Sequence, residues 1–167
     1  ITKMNYIDLF AGAGGLSEGF IREGFNPIAH VEMNKEAADT LKTRLAFHYL
    51  NKNKKANKYY SYLNSEITRE ELWKSIPQEI ILSVINSEIT KRTIEGIFDN
   101  IDEQLSSNKV DVIIGGPPCQ AYSLVGRSRD PNRMSGDKRN YLFRHYAEFL
   151  VRYKPKYFVF ENVLNTL

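Results

Sequence analysis

The chain has a single cysteine, Cys119, set in the stretch Gly115-Gly116-Pro117-Pro118-Cys119-Gln120-Ala121-Tyr122-Ser123. One thiol excludes an internal disulfide and a cysteine-based zinc centre. Two glycines allow a sharp exit from the apolar run at 110–114. Two prolines then hold the chain extended, with no amides to draw it back into a sheet. A buried packing cysteine is the ordinary alternative, but it leaves that rigid lead-in without a purpose. The setting suits a nucleophile, provided an electrophile and an acid stand close by.

The acid on offer is Glu161, in Phe158-Val159-Phe160-Glu161-Asn162-Val163. An apolar, strand-like run delivers it, and burial among aromatic neighbours is expected to raise its pKa and keep a proton available. A surface glutamate ending a strand is the alternative. Asn162 would fix the carboxyl's orientation or cap the following turn. A third element is Asp8-Leu9-Phe10-Ala11-Gly12-Ala13-Gly14-Gly15, where a strand turns through glycines into a helix. Such turns let a nucleotide-like ligand approach the backbone and the helix amides. Ser17 stands where the dinucleotide fingerprint needs its last glycine, and no phosphate-gripping G-x-x-x-x-G-K-[ST] occurs. Glu32, roughly 20 residues after the glycines, is placed to accept hydrogen bonds from a ribose diol. A nucleoside cofactor without a phosphate clamp fits S-adenosylmethionine better than ATP or NAD. Met33 would lie against an adenine ring or belong to the core.

Positioning these groups requires strands that end at one edge. Short apolar runs at 6–10, 27–31, 110–114 and 157–160 alternate with helical patterns at 16–25, 36–49 and 141–153. This predicts α/β architecture, a Rossmann-like doubly wound parallel sheet. Residues 50–109 are expected to be mostly a helical insertion, with one strand hidden in 80–85. The pentapeptide Asn-Ser-Glu-Ile-Thr occurs twice, at 64–68 and 86–90, too short a repeat for a solenoid. Composition, with 42% hydrophobic and 26% charged residues, is that of a globular domain. No run approaches the roughly 18 apolar residues of a membrane span, and no signal peptide is evident. A cytoplasmic protein is expected. The net charge of +3 is weak evidence of a nucleic-acid partner. Its distribution is more telling: Arg127, Arg129, Arg133, Lys138 and Arg139 follow the cysteine against only Asp130 and Asp137. Lys52, Lys54, Lys55 and Lys58 form a second basic run that reads as a solvated surface.

Taken in order, DLFAGAGG, VEMN, GGPPCQAYS and ENV resemble the cytosine-5 DNA methyltransferase family. The resemblance covers nearly the whole chain outside 50–109, and the Pro-Cys and Glu-Asn-Val motifs are its most specific part. It implies the class I methyltransferase fold, S-adenosylmethionine as methyl donor with S-adenosylhomocysteine as product, no metal, and double-stranded DNA as partner in a bacterial restriction-modification setting. It implies that Cys119 adds to C6 of a flipped-out cytosine while Glu161 protonates N3, which makes C5 able to accept the methyl group. By similarity Phe10, Gly12, Gly14, Gly15, Leu16, Glu32, Met33, Pro117 and Leu142 line the cofactor. Pro118, Gln120, Ser123, Arg127, Arg129 and Asn162 face the substrate, with the Arg-rich stretch meeting DNA phosphates. The family's acid near the adenine, after the third strand, is either Glu66 or Glu88.

The family continues beyond Glu-Asn-Val with an arginine-containing motif, a target-recognition domain and a returning helix. The sequence stops at Leu167. The fold is therefore expected to be incomplete at its C-terminal side, leaving the strand at 157–161 as an apolar edge. The chain is read as a fragment or subunit that needs a complement. Two rival readings are a tRNA cytosine-5 methyltransferase and a cofactor-binding half that is inactive alone. An NAD-dependent oxidoreductase gives no account of the Pro-Pro-Cys loop.

Overall fold

A computed structural model of the protein describes residues 3–117 and 142–161. Five strands form one sheet: β1 (Asn5–Leu9), β2 (Asn26–Glu32), β3 (Val84–Asn86), β4 (Val112–Gly115) and β5 (Tyr157–Phe160). Their spatial order is β3-β2-β1-β4-β5, and every neighbouring pair is parallel. The helices are α1 (Gly15–Arg22), α2 (Lys35–Lys52), α3 (Asn57–Leu63), α4 (Arg69–Lys74), α5 (Gln78–Leu82), α6 (Ile94–Leu105) and α7 (Leu142–Tyr153). The doubly wound α/β class read from the sequence is the observed one. The strand order reverses direction between β1 and β4, which puts the topological switch point, the usual ligand crevice, at the carboxyl ends of those two strands.

Both faces of the sheet are covered, so its central strands have no polar-out face. Ile7, Leu9, Ala29, Val31 and Ile113 pack against Ile94, Ile97, Phe98 and Ile101 of α6 and Tyr146 and Phe149 of α7. On the other face Tyr6, Val112 and Ile114 meet Leu16, Phe20 and Ile21 of α1 and Phe25. Ala38, Leu41 and Leu45 of α2 meet Ala11 and Val84. A satellite cluster of Ala46, Leu50, Leu72 and Ile76, flanked by Tyr49, Tyr59 and Trp73, ties α3–α5 to α2.

Residues 50–109 thus hold four helices and the strand β3, which pairs with β2. The two Asn-Ser-Glu-Ile-Thr copies precede α4 and α6. In the first, Thr68 caps α4: its hydroxyl accepts from the Glu71 amide while the Glu71 carboxylate accepts from the Thr68 amide. In the second, Asn86 ends β3 and Thr90 opens the turn into α6, its carbonyl accepting from the Ile94 amide at 3.0 Å.

Candidate functional site

The β1–α1 turn is built from three left-handed residues, Phe10 (φ 59°), Gly12 (φ 54°) and Gly14 (φ 84°). Only Phe10 is a residue for which that conformation costs energy, and such outliers gather at functional turns. The glycines serve different purposes. A Cβ on Gly14 would lie 2.5 Å from Leu41 Cδ1, so this glycine lets α2 press against the turn. A Cβ on Gly12 or Gly15 would meet nothing within 4 Å, so these two line an open side. Leu16, in the first turn of α1, is half-buried and packs toward Tyr6, Val112 and Ile114.

Glu32 ends β2 and holds the turn. Its Oε2 accepts from the Gly12 amide and its Oε1 from the Asn34 amide, both at 2.7 Å. Asn86 at the end of β3 secures the backbone behind it, donating to the carbonyls of Glu32 (2.8 Å) and Met33 (3.1 Å). Each carboxylate oxygen retains a lone pair beyond its backbone partner, the requirement for accepting a diol. Met33 is 62% exposed, which removes the core alternative for it. An open glycine turn, a carboxylate with spare acceptor capacity and an exposed thioether together fit a nucleoside with free hydroxyls. Of the two acids left open after the third strand, Glu88 follows β3 by two residues at this edge, whereas Glu66 lies between α3 and α4. The sequence offers a strand only somewhere in 80–85, where residues 80–82 belong to α5 and the strand begins at Val84, so it does not choose between the two acids.

At the switch point's other side, Gly115 adopts φ 152°, and a Cβ there would run into the Leu9 carbonyl oxygen. A Cβ on Gly116 would sit 2.9 Å from the Glu161 carbonyl oxygen and 3.1 Å from Glu161 Cβ. The Glu161 amide donates to the Gly115 carbonyl at 3.0 Å. The two glycines therefore permit β1, β4 and the residue after β5 to converge, and they lead into the buried Pro117. Among the described residues the shelter expected for Glu161 is not present: Glu161 is exposed, and so are Tyr157, Phe158, Val159 and Phe160. Among the described residues β5 is an edge strand with α7 on one face, so its aromatic residues do not enclose the carboxyl. Leu142, the first residue of α7, is half-buried. Pro118, Cys119, Gln120, Ser123, Arg127, Arg129 and Asn162 lie outside the described residues.

Sequence reasoning missed a buried polar group beneath the turn. The Ser17 hydroxyl lies 2.7 Å from the Tyr6 hydroxyl and 2.9 Å from His30 Nε2. Asp8 and His30 are fully or almost fully buried beside it, and Asp8 Oδ2 and His30 Nδ1 have no hydrogen-bond partner among the described residues. Burial pushes the Asp8 carboxyl up to about 7, with the charges of Glu32 and Glu161 adding to it and the Ser17 hydroxyl opposing it. Burial pushes the His30 imidazole down to about 4. The available signal was a polar residue inside each of two apolar strands.

A family model described as C-5 cytosine-specific DNA methylase matches residues 4–69 and 55–167. The type II methyltransferase M.Bpa9945I of Bacillus paralicheniformis is 40% identical over 180 residues, covering 96% of this chain and 40% of that protein. The type II methyltransferase M.DdeI of Desulfomicrobium norvegicum is 37% identical, covering 98% of this chain and 29% of its own length. A solved E. coli prophage chain, described as a candidate DNA modification methyltransferase, aligns with a TM-score of 0.56 at 25% identity over 98% of this chain and 33% of its own. The chain thus spans well under half the length of these proteins.

Proposed function

The chain belongs to the C-5 cytosine-specific DNA methylase family, and on that premise we propose that it carries the cofactor site and the catalytic pair of an enzyme methylating C5 of cytosine in double-stranded DNA, in a bacterial restriction-modification setting. The observation that carries this reading is the contact of Glu161 with Gly115 and Gly116, the residues that lead to Cys119. Cys119 and Glu161 then serve one base. The thiolate forms a bond to C6, the C5=C6 double bond opens, and Glu161 supplies a proton at N3 so that no negative charge accumulates on the ring. Loss of the C5 proton to water, expulsion of the thiolate and return of the N3 proton to Glu161 restore the aromatic ring after transfer. S-adenosylmethionine supplies the methyl group when bound. Glu32 holds its ribose, the open side of Gly12 and Gly15 its backbone-facing edge, Met33 and Glu88 its adenine, and Phe10, Gly14, Leu16, Pro117 and Leu142 complete the pocket. Pro118, Gln120, Ser123, Arg127, Arg129 and Asn162 contact the extruded base and the phosphates. The test is trapping on a duplex containing 5-fluorocytosine with the full-length protein and cofactor. A covalent complex is expected from the wild type and none from Cys119→Ala. No wild-type complex, or labelling of tRNA and not DNA, would overturn the assignment.

A second reading has its own support. Tyr157, Phe158, Val159 and Phe160 are exposed on β5, as are Phe143 and Val151 on α7. Exposed apolar edge strands are pairing surfaces. Together with the chain's short span of its relatives, this supports residues 1–167 acting as a cofactor-binding part that methylates only when further polypeptide covers β5. Cofactor titration of the isolated chain, followed by methyl transfer with and without the remainder of the full-length protein, separates the readings. Full activity of the isolated chain would end the second.

A further inference from the structure

Helix α7 reaches the catalytic strands through Tyr146, which is 2% exposed. Its hydroxyl lies 3.0 Å from the Ile113 carbonyl oxygen on β4 and 3.1 Å from the Val159 carbonyl oxygen on β5. Its ring meets Phe160 edge-on, with centroids 5.0 Å apart and planes at 87°. A phenol has one hydrogen to donate, and here two acceptors on adjacent strands share it. Burial pushes the phenol's pKa upward, so the group stays a donor at physiological pH. A phenylalanine would fill the same core space. Packing alone gives no reason for a hydroxyl seated over two strand carbonyls. Ile113 stands two residues before Gly115, and Val159 two residues before Glu161, so the bridged carbonyls lie at the roots of both catalytic segments. β5 is joined to β4 by its parallel ladder, and with all four of its residues exposed the Tyr146 hydroxyl adds a side-chain link from α7 across the same two strands.

We propose that Tyr146 is a positioning residue that sets the spacing between the strand leading to Cys119 and the strand delivering Glu161. This rests on the reading above, in which those two residues act on one base. It acts through the backbone and touches no substrate. The experiment uses the full-length protein and compares wild type, Tyr146→Phe and Phe160→Leu for cofactor affinity, melting midpoint and single-turnover rate of covalent complex formation on a 5-fluorocytosine duplex. Tyr146→Phe is expected to slow complex formation about tenfold while cofactor affinity stays within about twofold. Phe160→Leu, which loses the ring contact and keeps the hydroxyl, is expected to stay within about twofold of wild type in rate. An unchanged rate in Tyr146→Phe overturns the proposal. So does an equal loss in both variants, or a loss of rate and cofactor affinity together, since each marks packing and not the hydroxyl. A wild type that forms no complex overturns the underlying reading and this role with it.

Discussion

On the β1–β2–β3 side of the sheet edge, the functional groups are held by the fold's own side chains. Glu32 takes two backbone amides, Asn86 secures two carbonyls behind it, and Leu41 presses on Gly14. On the β4–β5 side, Glu161 is held by a backbone hydrogen bond to Gly115 and by its fit against Gly116, on a strand whose side chains are exposed. The first arrangement is preorganised for a ligand within the described residues. The second fixes where a backbone passes and leaves the carboxyl exposed. On the proposed reading, cofactor binding and chemistry fall on different half-edges and are separable by substitution.

The sharpest way to break that separation is to remove one acid from each half. Glu161→Gln in the full-length protein is expected to lower the methyl-transfer rate by about 10²–10⁴-fold, the range of a general acid, with cofactor affinity within about twofold. Glu32→Gln is expected to do the reverse, weakening cofactor binding about 10–100-fold, because an amide nitrogen cannot accept from an N–H and one backbone amide loses its partner. An analogue lacking the ribose hydroxyls sharpens the point. If Glu32 also acts as a strut for the turn, the variant binds that analogue less tightly than wild type does. Equal affinities would confine Glu32 to the diol. Isothermal titration and single-turnover rates measure both.

The same division explains what the sequence made legible. The glycine turn, the acid ending the second strand and the parallel doubly wound class could be read because parallel strands are short apolar runs and their carboxyl ends share an edge. β3 was nearly invisible: three residues, Val84-Ile85-Asn86, carry too little pattern to separate from α5 directly before it. That uncertainty left Glu66 and Glu88 both open. The buried network was illegible for another reason. Asp8 reads as part of the glycine motif and His30 as a polar residue in a strand, and only the placement of Ser17 under both strands joins them. The exposure of Glu161 is not legible in the sequence, because Phe158 and Phe160 read as shelter, whereas among the described residues β5 is an edge strand whose aromatic residues do not enclose the carboxyl.

That network gives the next effect, a pH signature centred on β1 and β2. Asp8 has its folded value raised from 3.8 to about 7, so its contribution is present at low pH and lost as pH rises through about 7. His30 has its folded value lowered from 6.5 to about 4, so its contribution is present above 6.5 and lost as pH falls toward 4. Each amounts to a few kcal/mol, on the order of 1.4 kcal/mol per unit. Their slopes oppose each other between pH 4 and 6.5. Asp8→Asn is therefore expected to gain stability relative to wild type as pH rises from 4 to 7, and His30→Gln to gain as pH falls from 6.5 to 4. Melting midpoints across pH 4–8 test this. Parallel curves for wild type and both variants would show that neither group titrates with folding.

The smallest effect expected comes from the surface of that same half. Glu18 joins α1 to α2: its Oε1 accepts from Arg22 Nε at 2.8 Å, and its Oε2 meets Arg44 at 3.1 Å and His48 Nε2 at 2.8 Å. Partial burial pushes this carboxyl up, but the hydrogen bonds from His48, Arg44 and Arg22 outweigh it and bring the group to about 2. Three partners look like a strong clamp, yet the Arg22 side chain is 74% exposed and water screens the pairs. Glu18→Gln keeps part of the hydrogen bonding and is expected to cost about 0.5–1 kcal/mol at low ionic strength, less in 1 M salt, with cofactor affinity unchanged. Thermal melts at two salt concentrations and a cofactor titration measure it. If Glu18→Gln weakened cofactor binding as much as Glu32→Gln, the turn would owe its shape to the α1–α2 surface clamp and not to the acid at the end of β2, and the contrast between the two half-edges would have to be redrawn.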